Sequence, residues 1–489
     1  MGQEIPLLKG VFFQQFVNTL SLFHGTSNQT QAGNGRKDGS MKKLLVFLAL
    51  ALVAFTACAG GQDAREFEGE NIRLIRLWVN KSESDDEGRI YRVLADQFND
   101  AGFMSFDGTH ELRVRVEFMG TAETLATAIS AEILTGGLPD IIAIDATAFA
   151  AYQNEGVIVP IGDYFTEEEL ASYLYSVIAQ STIEGRLYGL SAMEAPGGMY
   201  YNRRLITPDI LAAAGLAGFG TIDEPWSWRD VQNVLLAMRA AGRPDQIRLN
   251  LGFGGAEGSM YLYSSLVYSA GGQFHVGGNI TDGLTSEATL AGLRMLELMF
   301  RNVDGANFAY MGTNVDAFPQ EEVALQIFGP WDVTNIIRNY PEFMGHFGIM
   351  PMPVFEAEDG RRGTIATPSG SWGLSVTRDS RFPEDAARVI GFFTSPDASH
   401  MFHQGIGTFP THRHLFYELP VFTEEGPLRS LAELLTYTAA PRPVLAHYPR
   451  LAEAFASILE YIETMSNEPG YDLAAFVQDR ARAADAGAR

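Results

Sequence analysis

The architecture of the chain is set by a segment that opens with Ile72-Arg-Leu-Ile-Arg-Leu-Trp78, continues through Leu112-Arg-Val-Arg-Val-Glu-Phe118 and ends with Ile141-Ile-Ala-Ile144. The first two stretches have strand composition, and the third is a short apolar run typical of a buried parallel strand. Between them, apolar residues recur at helical spacing from Ile90 to Phe98 and over residues 121–134. The order strand–helix–strand–helix–strand predicts a doubly wound α/β sheet.

In such sheets ligands bind in the crevice at the carboxyl ends of the strands. The loops that start at Trp78 and Asp145 should therefore face this crevice. A second α/β region begins near Met199, with Ser227 as a predicted helix N-cap and a further helix over residues 287–300. This layout predicts two α/β lobes.

Composition limits the classes of partner. The 489 residues include 59 acidic and 35 basic side chains, which gives a net charge of −24. This balance argues against nucleic acid, whose phosphates require a basic surface, and against a polybasic membrane patch. The length exceeds what a single core normally supports, so two domains are expected.

The single cysteine, Cys58, ends a predicted export signal. Met41-Lys-Lys is followed by an apolar run from Leu44 to Phe55 and by small residues. The run is too short to span a bilayer comfortably, and the alternative is a buried N-terminal helix with an incidental cysteine. The ending resembles the lipobox of bacterial lipoproteins, although Phe55 replaces the usual leucine. We therefore predict an upstream extension over 1–40, a signal peptide over 41–57, a tether over 58–65 and acylation of Cys58.

A series of short motifs, each weak alone, follows a known order along the chain. Together they resemble the family 1 extracellular solute-binding proteins, the sugar receptors of ABC importers such as the maltose-binding protein. The matching segments are Gly137-Leu-Pro-Asp-Ile141, Val159-Pro-Ile-Gly-Asp-Tyr164, Ile183-Glu-Gly-Arg-Leu-Tyr-Gly-Leu190, Tyr201-Asn-Arg-Arg204, Trp226-Ser-Trp-Arg-Asp230, Ala324-Leu-Gln-Ile-Phe-Gly-Pro-Trp331, Pro351-Met-Pro353, Ser369-Gly-Ser-Trp-Gly373 and Gly407-Thr-Phe-Pro-Thr411. Two departures are Gln320-Glu-Glu before Ala324 and Leu190-Ser in place of Leu-Pro.

The resemblance implies a two-lobe periplasmic-binding-protein-like fold of type II, with a solute held between lobes that close by hinge bending. We expect the N-lobe over 66–192 plus 354–401 and the C-lobe over 193–353 plus 402–489. It also implies a monomer that is tethered outside the cytoplasm and delivers a sugar to membrane permease subunits. No cofactor, metal or catalysis is expected.

Sugar recognition requires aromatic faces for C–H surfaces and planar polar groups for hydroxyls. Trp331 is the first candidate for stacking, because the resembling family has a cleft tryptophan there. Trp372 is the second, because its small neighbours could let a ligand approach the backbone. Burial beneath the cleft is as plausible as contact for Trp78. The polar candidates are Asp145, Glu194, Asn80, Lys81, Glu83 and Ser371.

The sequence is also compatible with two other functions. A glycoside hydrolase would also place carboxylates and aromatics around a sugar, but no local carboxylate motif is apparent. A metal or other polar-solute receptor could use His400-x-x-His403 and His412-x-His414. Solvated histidines in structural segments explain these two pairs better.

Overall fold

The computed structural model describes residue 69 and residues 71–486, apart from 244–247, 253, 304–306, 313 and 424–425. The predicted extension, the signal peptide, the tether and Cys58 lie outside the described residues. Within the described part of the chain, no helix is both long and apolar enough to cross a membrane.

Thirteen strands occur in the described residues, and most belong to two mixed sheets. They are β1 (Ile72–Val79), β2 (Glu111–Phe118), β3 (Ile141–Asp145), β4 (Thr182–Ile183), β5 (Arg186–Leu187), β6 (Gly198–Asn202), β7 (Leu249–Asn250), β8 (Ala309–Tyr310), β9 (Leu325–Phe328), β10 (Phe347–Met350), β11 (Thr367–Ser369), β12 (Trp372–Val376) and β13 (Ala439–Pro441).

The first sheet has four strands in the order β12-β3-β1-β2. Strand β1 runs parallel to β2 and β3, as the alternation of strand and helix predicts, and the late strand β12 joins antiparallel to β3. The first four residues of β3 are buried, which explains their uninterrupted apolar sequence. The register places Trp372 opposite Asp145.

The second sheet has five strands in the order β10-β6-β9-β7-β8. Strand β6 runs antiparallel to both β10 and β9, whereas β7 runs parallel to β8 and β9. This sheet is therefore more mixed than a simple doubly wound pattern predicts. Two further pairs, β11 with β13 and β4 with β5, form small separate ladders.

Eighteen α-helices of the described residues pack around these sheets. They are α1 (Asp86–Asp100), α2 (Ala122–Thr135), α3 (Phe149–Asn154), α4 (Glu167–Ser172), α5 (Tyr175–Ser181), α6 (Pro208–Ala213), α7 (Trp228–Ala240), α8 (Gly255–Ser269), α9 (Ile280–Leu284), α10 (Glu287–Phe300), α11 (Trp331–Asn339), α12 (Pro383–Phe393), α13 (Pro396–Ile406), α14 (Leu415–Glu418), α15 (Pro420–Thr423), α16 (Pro427–Thr438), α17 (Tyr448–Met465) and α18 (Leu473–Ala486).

Local sequence accounts for several helix ends. Ser227 caps α7 through a reciprocal bond with the third helical residue, Asp230, which confirms the predicted N-cap. Helix α10 has the bounds predicted from its apolar spacing. The division of the chain into an N-lobe and a C-lobe at the stated boundaries stays a prediction. Because β12 returns to the first sheet after the whole second sheet has formed, the chain crosses between the two sheets more than once.

Candidate functional site

A buried arginine lies at the centre of the candidate site. Arg442, with 4% of its side chain exposed, contacts Asp145 at 2.9 Å between Nη2 and Oδ1, and its Nη1 binds Glu257 Oε1. Tyr448 donates its hydroxyl to the other oxygen of Glu257 at 2.8 Å. Burial opposes the charge of Arg442, but the two carboxylates outweigh this and raise its pKa well above the usual value. We call Asp145, Arg442 and Glu257 the charge cluster.

Three separate elements bring the charge cluster together. Asp145 ends β3, Glu257 lies in the first turn of α8, and Arg442 follows β13 directly. The guanidinium of Arg442 lies against Gly370, where an added Cβ would come within 2.5 Å of Nη2. Gly370 therefore makes space for the arginine, and any larger residue there would displace it.

An aromatic group lies next to the charge cluster. Trp331, which begins α11 and is 41% exposed, stacks on Tyr261 with ring centroids 5.9 Å apart. Phe328 contacts the same indole edge-on at 5.4 Å. A Cβ on Gly329 would come within 2.2 Å of the indole, so the glycine allows Trp331 to fold back over the preceding backbone. The exposed indole has the rigid apolar surface that a sugar ring can stack on.

Helix α8 links the aromatic group to the charge cluster. Glu257 and Tyr261 are four residues apart, so they lie on the same face of α8. The guanidinium of Arg442 lies 5.8 Å from the centroid of the Tyr261 ring, and the Tyr261 hydroxyl donates to the carbonyl of Ala195 at 2.5 Å. Tyr261 therefore contacts the aromatic group, the charge cluster and the carbonyl of Ala195, the residue after Glu194.

Glu194 is fully buried and faces a small cavity. The cavity, of about 10 Å³, is lined by residues that include Gln180, Ser191, Ser371 and Glu194. Gln180 donates to Glu194 Oε1 at 3.3 Å, and hydrogen bonding with Ser176 also favours the charged form of Glu194. Burial is the main reason that the pKa of Glu194 rises to about 7, and nearby Arg442 opposes the rise. The cavity is far smaller than the roughly 300–1,000 Å³ typical of ligand sites, and it has room for about one water molecule.

A second buried carboxyl group underlies Trp331. Asp332 is 2% exposed and accepts a hydrogen bond from Gln326 Nε2 at 2.8 Å. Burial raises its pKa to about 7, although its hydrogen bonds oppose the rise.

The loop after β1 contacts Trp372 through Lys81. Lys81 Nζ lies 5.7 Å from the indole of Trp372 and 2.9 Å from Glu87 Oε2. The Ser371 hydroxyl accepts a hydrogen bond from Ser191 at 3.2 Å, and Ser191 also donates to the carbonyl of Trp372. The structure thus brings Lys81, Ser371 and Trp372 together beside Asp145.

The other sequence candidates are less available to a solute. Trp78 is buried and donates its indole N–H to Glu117, so it lies beneath the surface. Asn80 is 5% exposed, and Glu83 pairs with Arg92 near the helix α1. The small residues around Trp372 do not leave open backbone as expected. Arg442 occupies the space at Gly370, and Phe149 lies 2.8 Å from a Cβ built on Gly373.

The interpretation of the histidines as solvated is wrong for His412. This side chain is 2% exposed, and its Nε2 lies 2.7 Å from the Thr394 carbonyl and its Nδ1 3.0 Å from Ser172 Oγ. The Nδ1 of His403 contacts the carbonyl of Thr408 at 2.8 Å. Both histidines have a pKa lowered mainly by burial. No group of three or more His, Cys, Asp or Glu side chains suited to a metal occurs in the described ranges.

Sequence reasoning did not identify Arg442, Glu257 or Tyr261. Arg442 has one local signal, its position between Pro441 and Pro443 in a segment that must stay extended. Glu257 and Tyr261 share a helix face, but this spacing is common in helices. Their partners are distant in sequence, and only the tertiary structure brings them together.

The chain has two α/β sheets, crosses between them more than once, and has a polar and aromatic site beside these crossings. This arrangement defines the two-lobe class of periplasmic binding proteins. A model of the bacterial extracellular solute-binding protein family matches residues 82–399. The chain belongs to this family of binding proteins, and it is not an enzyme. A protein of Brucella abortus (strain 2308), named as a binding protein, is 22% identical over 373 residues, which cover 74% of this chain and 83% of that protein.

Solved structures confirm the fold class. The cyclic alpha-maltosyl-1,6-maltose binding protein from Arthrobacter globiformis matches with a TM-score of 0.66 at 18% identity, over 84% of this chain and 98% of that chain. The sugar-binding protein MalE from Xanthomonas citri also gives 0.66 at 18% identity, over 85% and 97%. UgpB from Mycobacterium tuberculosis, in complex with glycerophosphocholine, gives 0.62 at 18% identity, over 85% and 98%.

Proposed function

We propose that the chain is the lipid-anchored, extracytoplasmic binding subunit of an ABC importer and that it captures a sugar or oligosaccharide between its two lobes. The observation that carries the sugar assignment is the exposed indole of Trp331, stacked on Tyr261 beside the charge cluster. This combination of an apolar ring face with nearby groups that bind hydroxyls suits a carbohydrate. The captured solute is then delivered to permease subunits in the membrane.

Capture follows from a difference in affinity between two arrangements of the lobes. A solute that contacts Trp331 on one side and the Trp372 region on the other makes more contacts when the lobes close. It therefore shifts the equilibrium toward the closed form. The closed pair of lobes is the surface that a permease would recognise.

A thermal-shift screen tests the solute class. The protein is heated with mono- and oligosaccharides, and with amino acids, polyamines and divalent metals as controls. A ligand that binds only the folded state raises the Tm by mass action. A rise with one class of sugar supports the proposal, whereas a rise with zinc or manganese alone would replace it with a metal receptor.

Membrane fractionation tests the anchor. Cys58 follows the predicted signal segment, and its acylation would hold the protein at the membrane. We expect the unaltered protein in the membrane fraction and Cys58→Ala in the soluble extracytoplasmic fraction or as uncleaved precursor. Equal release of both proteins would contradict a lipid anchor at this position.

A further inference from the structure

We infer that the charge cluster makes the cleft select uncharged solutes and reject anionic ones such as uronic acids or sugar phosphates. The inference rests on the proposed function, because it concerns the ligand class of the same site. The supporting observation is that the two cations at this site, Arg442 and Lys81, are already paired with carboxylates of the protein.

Arg442 would otherwise be a strong anion-binding group. Its planar guanidinium is suited to carboxylates and phosphates, and it lies 5.8 Å from the ring of Tyr261, which stacks on Trp331. Yet Nη2 contacts Asp145 at 2.9 Å, and Nη1 contacts Glu257 and lies 3.3 Å from the second oxygen of Asp145. Both terminal nitrogens are thus engaged by carboxylates of the protein itself.

Lys81, the other cation identified at this site, is engaged in the same way. Its Nζ lies 2.9 Å from Glu87 Oε2, and 13% of the Glu87 side chain is exposed. Lys81 contacts the indole of Trp372 from this paired position. The charge of each cation is therefore already paired with a carboxylate of the protein, and the one guanidinium nitrogen of Arg442 without a partner among the described residues, Nε, is buried.

The balance of charge reinforces this effect. At formal charges, two carboxylates and one guanidinium give the charge cluster a net charge of −1, and the Lys81–Glu87 pair is neutral, although burial raises the pKa of Glu257 and of Glu87. An incoming anion would meet a negative potential and would have to displace Asp145 or Glu257, leaving that carboxylate unpaired in a partly buried site. A neutral solute can hydrogen-bond to the same oxygens without breaking any ion pair.

Removing one carboxylate should convert Arg442 into an anion site. Glu257 has 47% of its side chain exposed, so Glu257→Gln keeps the shape of the residue and removes one of the two negative charges that are paired with the guanidinium. The probes are D-galacturonate and inorganic phosphate, compared with chloride at equal ionic strength. We expect Glu257→Gln to bind galacturonate at least about tenfold more tightly than the unaltered protein, measured by calorimetry and by the rise in Tm.

The matched control is Glu433→Gln, which removes the same charge from an exposed pair with Arg429. It should gain no affinity for either anion. Asp145→Asn provides a second variant in case Glu257→Gln does not fold. The inference would be overturned if neither Glu257→Gln nor Asp145→Asn gained affinity for the anions. It would also be overturned if the unaltered protein bound the anions as tightly as Glu257→Gln. Failure of the proposed sugar function appears separately, as the absence of a Tm rise with neutral sugars in the unaltered protein.

Discussion

Single residues carry the chemistry of this site through their burial as much as through their type. Trp331 keeps 41% of its surface exposed, whereas Trp78 and Trp228 are buried in the cores. Glu194 and Asp332 are carboxyl groups kept out of water, and burial raises the pKa of each to about 7. Residue type alone could not separate these cases, since all five tryptophans occur in strand or helix-start contexts.

Removing the exposed indole should weaken binding without unfolding the protein. We expect Trp331→Ala to lower the affinity for the sugar found in the thermal screen at least tenfold, about 1.4 kcal/mol, because the stacking surface is lost. Isothermal calorimetry measures the affinity, and circular dichroism checks the fold. Phe106→Ala, at an aromatic residue with 69% exposure outside the site, is the control. An unchanged affinity in folded Trp331→Ala would remove Trp331 from the site.

The buried carboxyl group of Glu194 should make stability depend on pH. Because its pKa rises from the ordinary 4.5 to about 7 on folding, the folded state binds the proton more tightly than the unfolded chain. The resulting stabilisation is complete below about pH 4.5 and is lost as the pH rises through 7. Asp332 contributes with the same sign.

The test of this dependence is the variant Glu194→Gln. Between pH 4.5 and 7.5 the unfolding free energy should fall by up to about 3 kcal/mol less in Glu194→Gln than in the unaltered protein. The reason is that a neutral amide does not titrate. Urea unfolding at several pH values measures this difference, and Glu433→Gln serves as an exposed control. A decline in Glu194→Gln as steep as in the unaltered protein would show that Glu194 does not hold its proton near neutral pH.

At the level of elements, the site depends on how short segments dock against regular structure. Strand β13 has only three residues, yet its parallel pairing with β11 fixes the start of the segment that carries Arg442. Helix α8 presents Glu257 and Tyr261 from one face and buries its opposite side in the core. Parallel strands β1 and β3 were predictable from their composition, whereas β11 and β13 were not, because three residues contain too little periodicity.

Removing Arg442, which joins Asp145 on β3 to Glu257 on α8, should lower the free energy of unfolding. Arg442→Met removes the only charge that the two carboxylates of the cluster share and leaves Asp145 facing a partly buried environment. Loss of one partner of a buried pair costs about 3–5 kcal/mol, whereas an exposed helical pair contributes about 0.3–0.5 kcal/mol. We therefore expect a much larger loss of unfolding free energy for Arg442→Met than for Arg429→Met, measured by urea denaturation. Similar losses in both variants would show that the bridge adds little.

At the scale of the whole molecule, contacts between distant parts of the chain define the resting arrangement. Asp145 and Arg442 are 297 positions apart, and Arg338 on α11 lies 3.9 Å from Asp86 at the start of α1. Glu194, next to the predicted lobe boundary at residues 192–193, pairs with Phe409 in an isolated β-bridge. These contacts join segments that are far apart in the sequence.

The proposed capture between two lobes predicts that ligand binding changes the shape of the molecule. We expect the radius of gyration from small-angle X-ray scattering to fall when a bound sugar is added, because the solute favours closed lobes. Trp331→Ala at the same sugar concentration should show a smaller fall, and a sugar that gives no Tm rise should cause none. An unchanged radius with a saturating sugar would contradict capture by closure.

The sequence by itself determined the α/β class, the parallel core of the first sheet, the cap of α7 and the family, because these depend on local periodicity and on short ordered motifs. It also pointed to Trp372 and Asp145 through small neighbours and a strand end, and to Trp331 and Glu194 through what the family resemblance implies. Only the tertiary structure decided that Arg442 joins Asp145 to Glu257, that Gly370 makes room for it and that His412 is buried. Those facts depend on contacts between residues from 18 to 297 positions apart, and local patterns carry no information about such pairs.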